Sequence, residues 1–402
     1  MISFEPDFMV ENNICVPDFL SDPAASETWM DGMAAAADYH KLPMQWCMAS
    51  PTDLMQALNY PSVTNLRAST DYYYGSSWDI GLSSLLIWSL GAVPSKDTFW
   101  TSNQTDIAIK LGGCPASSGC PRDHSDAGCE LHLMLAVLST GPVGFSDAYN
   151  RTNVALLQHA TNSATKSDGM VVKPSKPVTA VDSTLGPTPP KGHVLGTYCG
   201  SSAGRAGEVA VSSWNFVAHQ LKAPYNIRVS DFYPAVMPSL QWAVTREWHD
   251  APCHNGSAVP GPCASTVAVN AADLSSTVVS AAAADSTGEG EYAAQLHTVV
   301  PVCPGSGWAV LGTLDTYASL SPSIYGSILC TAQGLTVQLL KATRMTVLQP
   351  CSSGNGNRQN SGGDGGERGA ATGAGAGPTF QVLTVAAGGA GVHTFSGKAT
   401  CA

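Results

Sequence analysis

The chain has 402 residues, 44% of them hydrophobic and 12% charged, with a formal net charge of −11. That apolar content supports a large buried core and excludes a chain disordered throughout, and the length fits two domains. The acidic balance has no basic cluster to offset it, which excludes nucleic acid as a partner, since that binding needs Lys and Arg facing phosphates.

In chain order, the first apolar run is Met1 to Phe4. It has neither the basic start nor the apolar stretch of a secretory leader and reads instead as a strand that begins inside a fold. Asp22-Pro23 predicts a helix start, with Asp as cap and Pro in the first turn. Trp29, Met33 and Ala36-Ala37 follow at helical spacing. Met44 to Met48 is the next strand. Ser50-Pro51-Thr52-Asp53 opens a second helix, and Val63 to Arg67 is a third strand. Asp79 to Leu90 is a third helix, with Ile80, Ser84, Ile87 and Trp88 near one face. Thr98 to Thr101 and Pro142 to Phe145 read as further strands, Glu130 to Leu138 and Thr152 to Gln158 as further helices. No stretch reaches the roughly 18 continuous apolar residues of a membrane span; Leu82 to Val93 comes nearest and reads as a core helix.

Five βα units in series predict a parallel sheet. Five do not close an eight-unit barrel. The alternatives are an open sheet or a barrel whose first three units are missing, and the abrupt start favours the second. The fold expectation is therefore α/β: a partial (β/α)₈ barrel over residues 1–223, followed by an antiparallel β-sandwich over 224–402. In the second region Gly307 to Leu314, Gly334 to Leu340, Arg344 to Leu348 and Thr379 to Val385 read as strands, with Val337 and Leu339 alternating with polar residues. A Gly/Ala/Ser/Asn tract at 352–378 reads as a disordered insertion between two strands. A half barrel exposes an apolar edge, so a homo-oligomer is an expectation.

Twelve cysteines and sequons at Asn103, Asn150 and Asn255 favour an oxidising, secretory-route compartment, extracellular or lysosomal/vacuolar; buried free thiols in a cytosolic protein are the alternative. Cys114, Cys120 and Cys129 look like a stapled loop, and Cys253 and Cys263 bracket another. No paired CxxC spacing points to zinc, and no cofactor is implied.

Strand ends are where a barrel of this kind carries its active groups. Asp7, Asp71, Asp97 and Asp147 stand at or beside such ends. Glycoside hydrolysis needs two carboxylates flanking the scissile bond, one to attack or activate water and one to protonate the leaving oxygen. Asp7 and Asp71, two strands apart, meet that need. Trp46, Tyr72, Tyr73, Tyr74, Trp78 and Trp100 are aromatic platforms for a sugar ring. For any single strand-end Asp the competing reading is a cap or a loop hydrogen bond. Glu130 and His132, at i and i+2, do not share a helix face, so they are no metal pair. Lys173 and Lys176 read as solvated loop charges.

Several blocks resemble one superfamily. Val63-Thr-Asn-Leu-Arg67-Ala-Ser-Thr-Asp71 resembles the Arg-x-x-x-Asp motif of the α-galactosidases, glycoside hydrolase families 27 and 36 with the raffinose synthases. Gly141-Pro-Val143-Gly-Phe-Ser-Asp147, and Asp168-Gly169 running to Lys173 and Pro177, resemble later blocks of the raffinose synthases in the same order. The resemblance covers about half the chain, from Phe4 to Asp182. It implies a retaining mechanism with Asp7 as nucleophile and Asp71 as acid/base, on what would be barrel strands four and six. It implies that Arg67 binds sugar or orients Asp71, and that Trp46 and Cys47 line the pocket. The remaining expected substrate contacts are Trp78, Asp97 and Trp100. The partner implied is an oligosaccharide or glycoconjugate, cleaved by water or transferred to a sugar acceptor. One position departs from the pattern: Glu5 stands where the family carries a Lys that binds substrate hydroxyls. A third carboxyl there changes the sugar contacts and motivates a competing expectation, a carbohydrate-binding chain without turnover.

Overall fold

The structure, a computed structural model, describes residues 3–71, 80–102, 104, 128–162, 169–181, 193–200, 209–221, 223–232, 240–249, 269–274, 277–281, 294–352, 378–387 and 389–399. Helices come first. Short α1 (Met9–Cys15) and α2 (Pro17–Ser21) lead into α3 (Pro23–His40). The Asp22 side chain accepts from the Ala24 N–H at 3.0 Å and Pro23 fills the first turn, as the sequence predicts. Met30, Ala34 and Ala37 of α3 are buried. After β1 (Met44–Trp46), α4 (Pro51–Gln56) starts with a capping box in which Ser50 and Asp53 satisfy each other's backbone N–H groups.

β2 (Val63–Arg67), α5 (Gly81–Ser89) and β3 (Val93–Ser95) follow. β1, β2 and β3 form a parallel sheet in chain order, extended at one edge by a bridge from Phe4 to Met44. Beyond Phe4, an apolar groove of about 520 Å³ runs along α3 past Trp29, Met33 and Ala36. On α5, Ile87 is buried at 0% exposure whereas Trp88 is 38% exposed, so these neighbours face opposite ways. Every residue of α6 (Cys129–Leu138) is buried. A helix apolar nearly all round belongs inside a core. α7 (Val154–Leu157) is a single turn.

The rest is β. A six-stranded sheet has the order β10-β9-β12-β7-β5-β4, comprising β4 (Thr179–Ala180), β5 (His193–Cys199), β7 (Ser213–His219), β9 (Trp242–His249), β10 (Val269–Asp273) and β12 (Ala294–Pro301). All its pairings are antiparallel. It draws strands from both sides of residue 224. Its central strand β7 is buried on both faces: Trp214, Phe216 and Ala218 join one core and Val217 the other. Smaller antiparallel sheets pair β8 (Tyr225–Arg228) with β11 (Thr277–Ala281), β13 (Ala309–Gly312) with β16 (Thr343–Pro350) and β17 (Phe380–Ala387), and β6 (Val209–Ala210) with β14 (Tyr325–Cys330), β15 (Gly334–Leu339) and β18 (Gly391–Ser396). A Cys303–Cys330 disulfide ties the segment after β12 to the end of β14.

This architecture corrects the expected partial barrel. Among the described residues there are eighteen strands and seven α-helices, and most strands lie in antiparallel sheets. Only three consecutive strands make a parallel sheet. The predicted strands at Thr98 to Thr101 and Pro142 to Phe145 shrink to one bridge between Phe99 and Phe145. The backbone there is held by side chains instead of a ladder: the Thr101 N–H and hydroxyl donate to Asp147 at 2.7 and 2.6 Å. The expected Cys114–Cys120–Cys129 staple is also corrected at its described member, since Cys129 is buried and is not in a disulfide. Cys114, Cys120, Cys253 and Cys263 lie outside the described residues, as do Asn103 and Asn255. So does 353–377 of the Gly-rich tract, whose flanking strands β16 and β17 pair with each other. Among the described residues, no helix is long and apolar enough to cross a membrane.

Candidate functional site

The segment Phe4–Asp7 runs beside β1. The Gln45 N–H donates to the Phe4 carbonyl at 2.9 Å and the Cys47 N–H to the Pro6 carbonyl at 3.1 Å. That ladder sets Glu5 and Asp7 against Cys47. Alternate residues on neighbouring strands share a face. On that face Asn65 Nδ2 donates to Gln45 Oε1 at 2.6 Å and to Ser95 Oγ at 3.4 Å, a polar layer across three strands. Two positions further along, Cys47 follows Gln45 and Arg67 follows Asn65.

At this level the candidate groups converge. The Cys47 thiol lies close to the carboxyls of Asp7 and Glu5. Burial, first, and then those carboxyls push its pKa well above the ordinary thiol value, against the opposing pull of Arg67. It is therefore a neutral S–H between two acids. Asp7 Oδ1 also accepts from the Phe8 N–H at 2.8 Å. The residues just after Asp7 and Cys47 are both left-handed, Phe8 at φ 54° and Met48 at φ 53°. Bulky side chains seldom adopt that backbone, and such strain is concentrated at functional sites.

Arg67 is the second centre. Its Nη2 is 2.7 Å from Asp71 Oδ1 and its Nη1 is 3.6 Å from Asp97 Oδ1. Burial opposes the guanidinium charge, but the neighbouring Asp97 and Asp71 carboxylates outweigh it and hold its pKa above the usual value. The Asp97 N–H donates to Ser69 Oγ at 2.8 Å, which fixes the loop that carries this carboxylate. Lys96, directly before Asp97 in the chain, is 4% exposed, its Nζ 5.8 Å from the Phe99 ring centroid. Burial lowers its pKa to about 7, with Asp97 opposing and Arg67 adding to the shift. The sequence reading passed over Lys96; its position directly before Asp97, at the end of β3, is the one signal that marks it.

The structure thus brings Glu5, Asp7, Cys47, Arg67, Asp71 and Asp97 into one linked set. It does not add Trp46, which is fully buried with its ring 5.9 Å from Tyr60. Trp100 is half-buried in the loop after Phe99. Trp78, with Tyr72 to Tyr74, lies outside the described residues. Asp147 takes the bland reading: it accepts from Thr101 and from Gln104 Nε2 at 2.5 Å, and so organises a loop. Glu130 is a buried acceptor for Trp248 Nε1 at 2.8 Å and the Tyr317 hydroxyl at 3.2 Å. His132 stacks on Phe99 at 6.3 Å, and burial, with Lys96 and His219 nearby, holds its pKa well below the usual imidazole value. Lys173 and Lys176 are not solvated charges. Lys173 donates to the carbonyls of Thr140 and Gly141 at 3.0 and 2.7 Å, and buried Lys176 donates to Thr179 Oγ1 at 3.0 Å.

The chain matches no known protein-family model, and no curated protein is significantly similar to it.

Proposed function

We propose that this chain is a retaining glycosidase for terminal α-galactosides or related α-linked sugars, with Asp7 as nucleophile and Asp71 as acid/base. The observation that carries the reading is the cluster in which Asp7 lies close to Cys47 and Arg67 pairs with Asp71. The resemblance of the Arg67-to-Asp71 block to the α-galactosidase motif supports the same roles.

In this scheme an Asp7 oxygen bonds to the anomeric carbon as the bond to the leaving oxygen breaks. That oxygen takes the proton of Asp71. Arg67 stabilises the carboxylate left on Asp71. Asp71 then removes a proton from water, whose oxygen attacks the anomeric carbon and releases Asp7. A sugar hydroxyl in place of that water gives galactosyl transfer. The neutral Cys47 thiol orients Asp7 without adding charge. The Cys303–Cys330 disulfide fits the secretory-route setting that this reading includes.

A binding role without turnover is the second reading. Glu5 favours it, because its carboxyl lies close to the same thiol as Asp7 and stands where the resembled family has a Lys.

Product analysis with an aryl α-galactoside, alone and with added sucrose, separates hydrolysis, transfer and no turnover. Asp7→Asn should abolish turnover; a near wild-type rate would remove Asp7 as nucleophile. Asp71→Asn should slow substrates with poor leaving groups by about 10²–10⁴-fold and those with good ones much less. Equal losses would argue against the acid/base role.

A further inference from the structure

A second cleft, of about 270 Å³, opens between α5, the segment leading into β4 and one face of the six-stranded sheet. It shares no residue with the carboxylate set. Trp214 and Phe216, alternate residues of β7, form its floor. Phe232 stacks on Trp214 with centroids 5.1 Å apart and planes at 19°. Across from Phe216, on β5, stands Gly196, where a Cβ would come within 3.3 Å of the Phe216 ring. Trp88, 38% exposed on α5, supplies an aromatic wall.

The polar groups of the cleft complement that surface. The Asp231 carboxylate accepts from the Tyr225 hydroxyl at 3.1 Å and the Arg228 N–H at 2.9 Å, both through Oδ2, and among the described residues no donor reaches Oδ1. Thr179 and buried Lys176 lie along the same wall.

We infer that this cleft binds a single neutral sugar ring, the end of a glycan, without acting on it. A pyranose presents C–H faces that pack on aromatic rings, and hydroxyls that both accept and donate. Here a ring face packs on the exposed Trp88 and a hydroxyl donates to the Asp231 carboxylate. The volume lies just below the range of drug-sized sites, which suits one ring. The inference is independent of any chemistry at Asp7 and Asp71.

The test uses the full chain carrying both Asp7→Asn and Asp71→Asn, probed with methyl α-galactopyranoside and methyl α-glucopyranoside by saturation-transfer NMR. At least one glycoside should bind in the millimolar range. Adding Trp88→Ala, an exposed position, should weaken it by about tenfold. Adding Asp231→Asn instead should act in the same direction, with circular dichroism unchanged in both. If neither glycoside binds the double variant, or if neither added substitution weakens binding, the cleft is not a sugar site. Turnover by the unaltered chain bears on the carboxylate proposal alone, so the two can fail separately.

Discussion

Arg67 holds Asp71 at 2.7 Å, four residues along the chain, and with its other terminal nitrogen reaches Asp97 at 3.6 Å. The Arg67 side chain is 9% exposed and Asp71 38%, so the pair sits at the boundary between core and solvent. One guanidinium neutralises two acids that would otherwise repel.

Removing that bridge should be costly. Arg67→Met is expected to lower unfolding free energy by about 1–3 kcal/mol, discounted for the exposure of Asp71. Arg67→Lys should recover only part, because a point charge cannot serve two carboxylates in the geometry of a planar fork. Urea midpoints of the three proteins check this, and a fully restored midpoint in the Lys variant would contradict the bridging role.

Cys47 should be chemically silent in the folded chain. It is buried, and the acids beside it keep it protonated, whereas the thiolate is the reactive form. Native alkylation at pH 8 with peptide mapping should label exposed Cys15 and leave Cys47, Cys129 and Cys199 unlabelled until urea is added. Cys47→Ser keeps a donor to Asp7 and should preserve the fold; rapid native labelling of Cys47 would contradict the placement.

Lys96 should make stability depend on pH in one direction. Its folded pKa, about 7, lies below the unfolded value of 10.5. Between those values the unfolded chain binds the extra proton, so this group makes stability rise with pH across the window and costs most below pH 7. Lys96→Met should flatten the rise between pH 7 and 10. Denaturation curves at the two ends measure it, and an unchanged slope would exclude Lys96 as its source.

Asp147 should matter to folding and not to chemistry. It is the acceptor for Thr101 and Gln104. Asp147→Ala leaves three donors without their partner and should destabilise by about 1–3 kcal/mol. Turnover per folded molecule, if present, should be unaltered; a selective loss of rate would return Asp147 to the candidate set.

Local structure was legible wherever its cause was local. The Asp22 cap, the Ser50–Asp53 box and the Val63–Arg67 strand each follow from neighbouring residues. β3 was missed because Pro94 interrupts its pattern, and β7 because both its faces are covered. Period-two alternation appears only when one face meets water. Asn215 in β7 looks like a turn residue in sequence, yet in the sheet its side-chain Oδ1 accepts from Thr298 Oγ1 at 2.9 Å, a partner 83 residues away.

The candidate set divides in the same way. Strand-end position and the resemblance of short blocks singled out Asp7, Arg67 and Asp71. Only tertiary structure decided that Cys47 lies close to Asp7 and Glu5, that Arg67 spans to Asp97, that Trp46 belongs to the core, and that antiparallel sheets replace the expected barrel. Capping and alternation act over a few residues and leave their mark in sequence. Strand pairing and charge pairing join segments tens of residues apart, and they are set by which faces can be buried together.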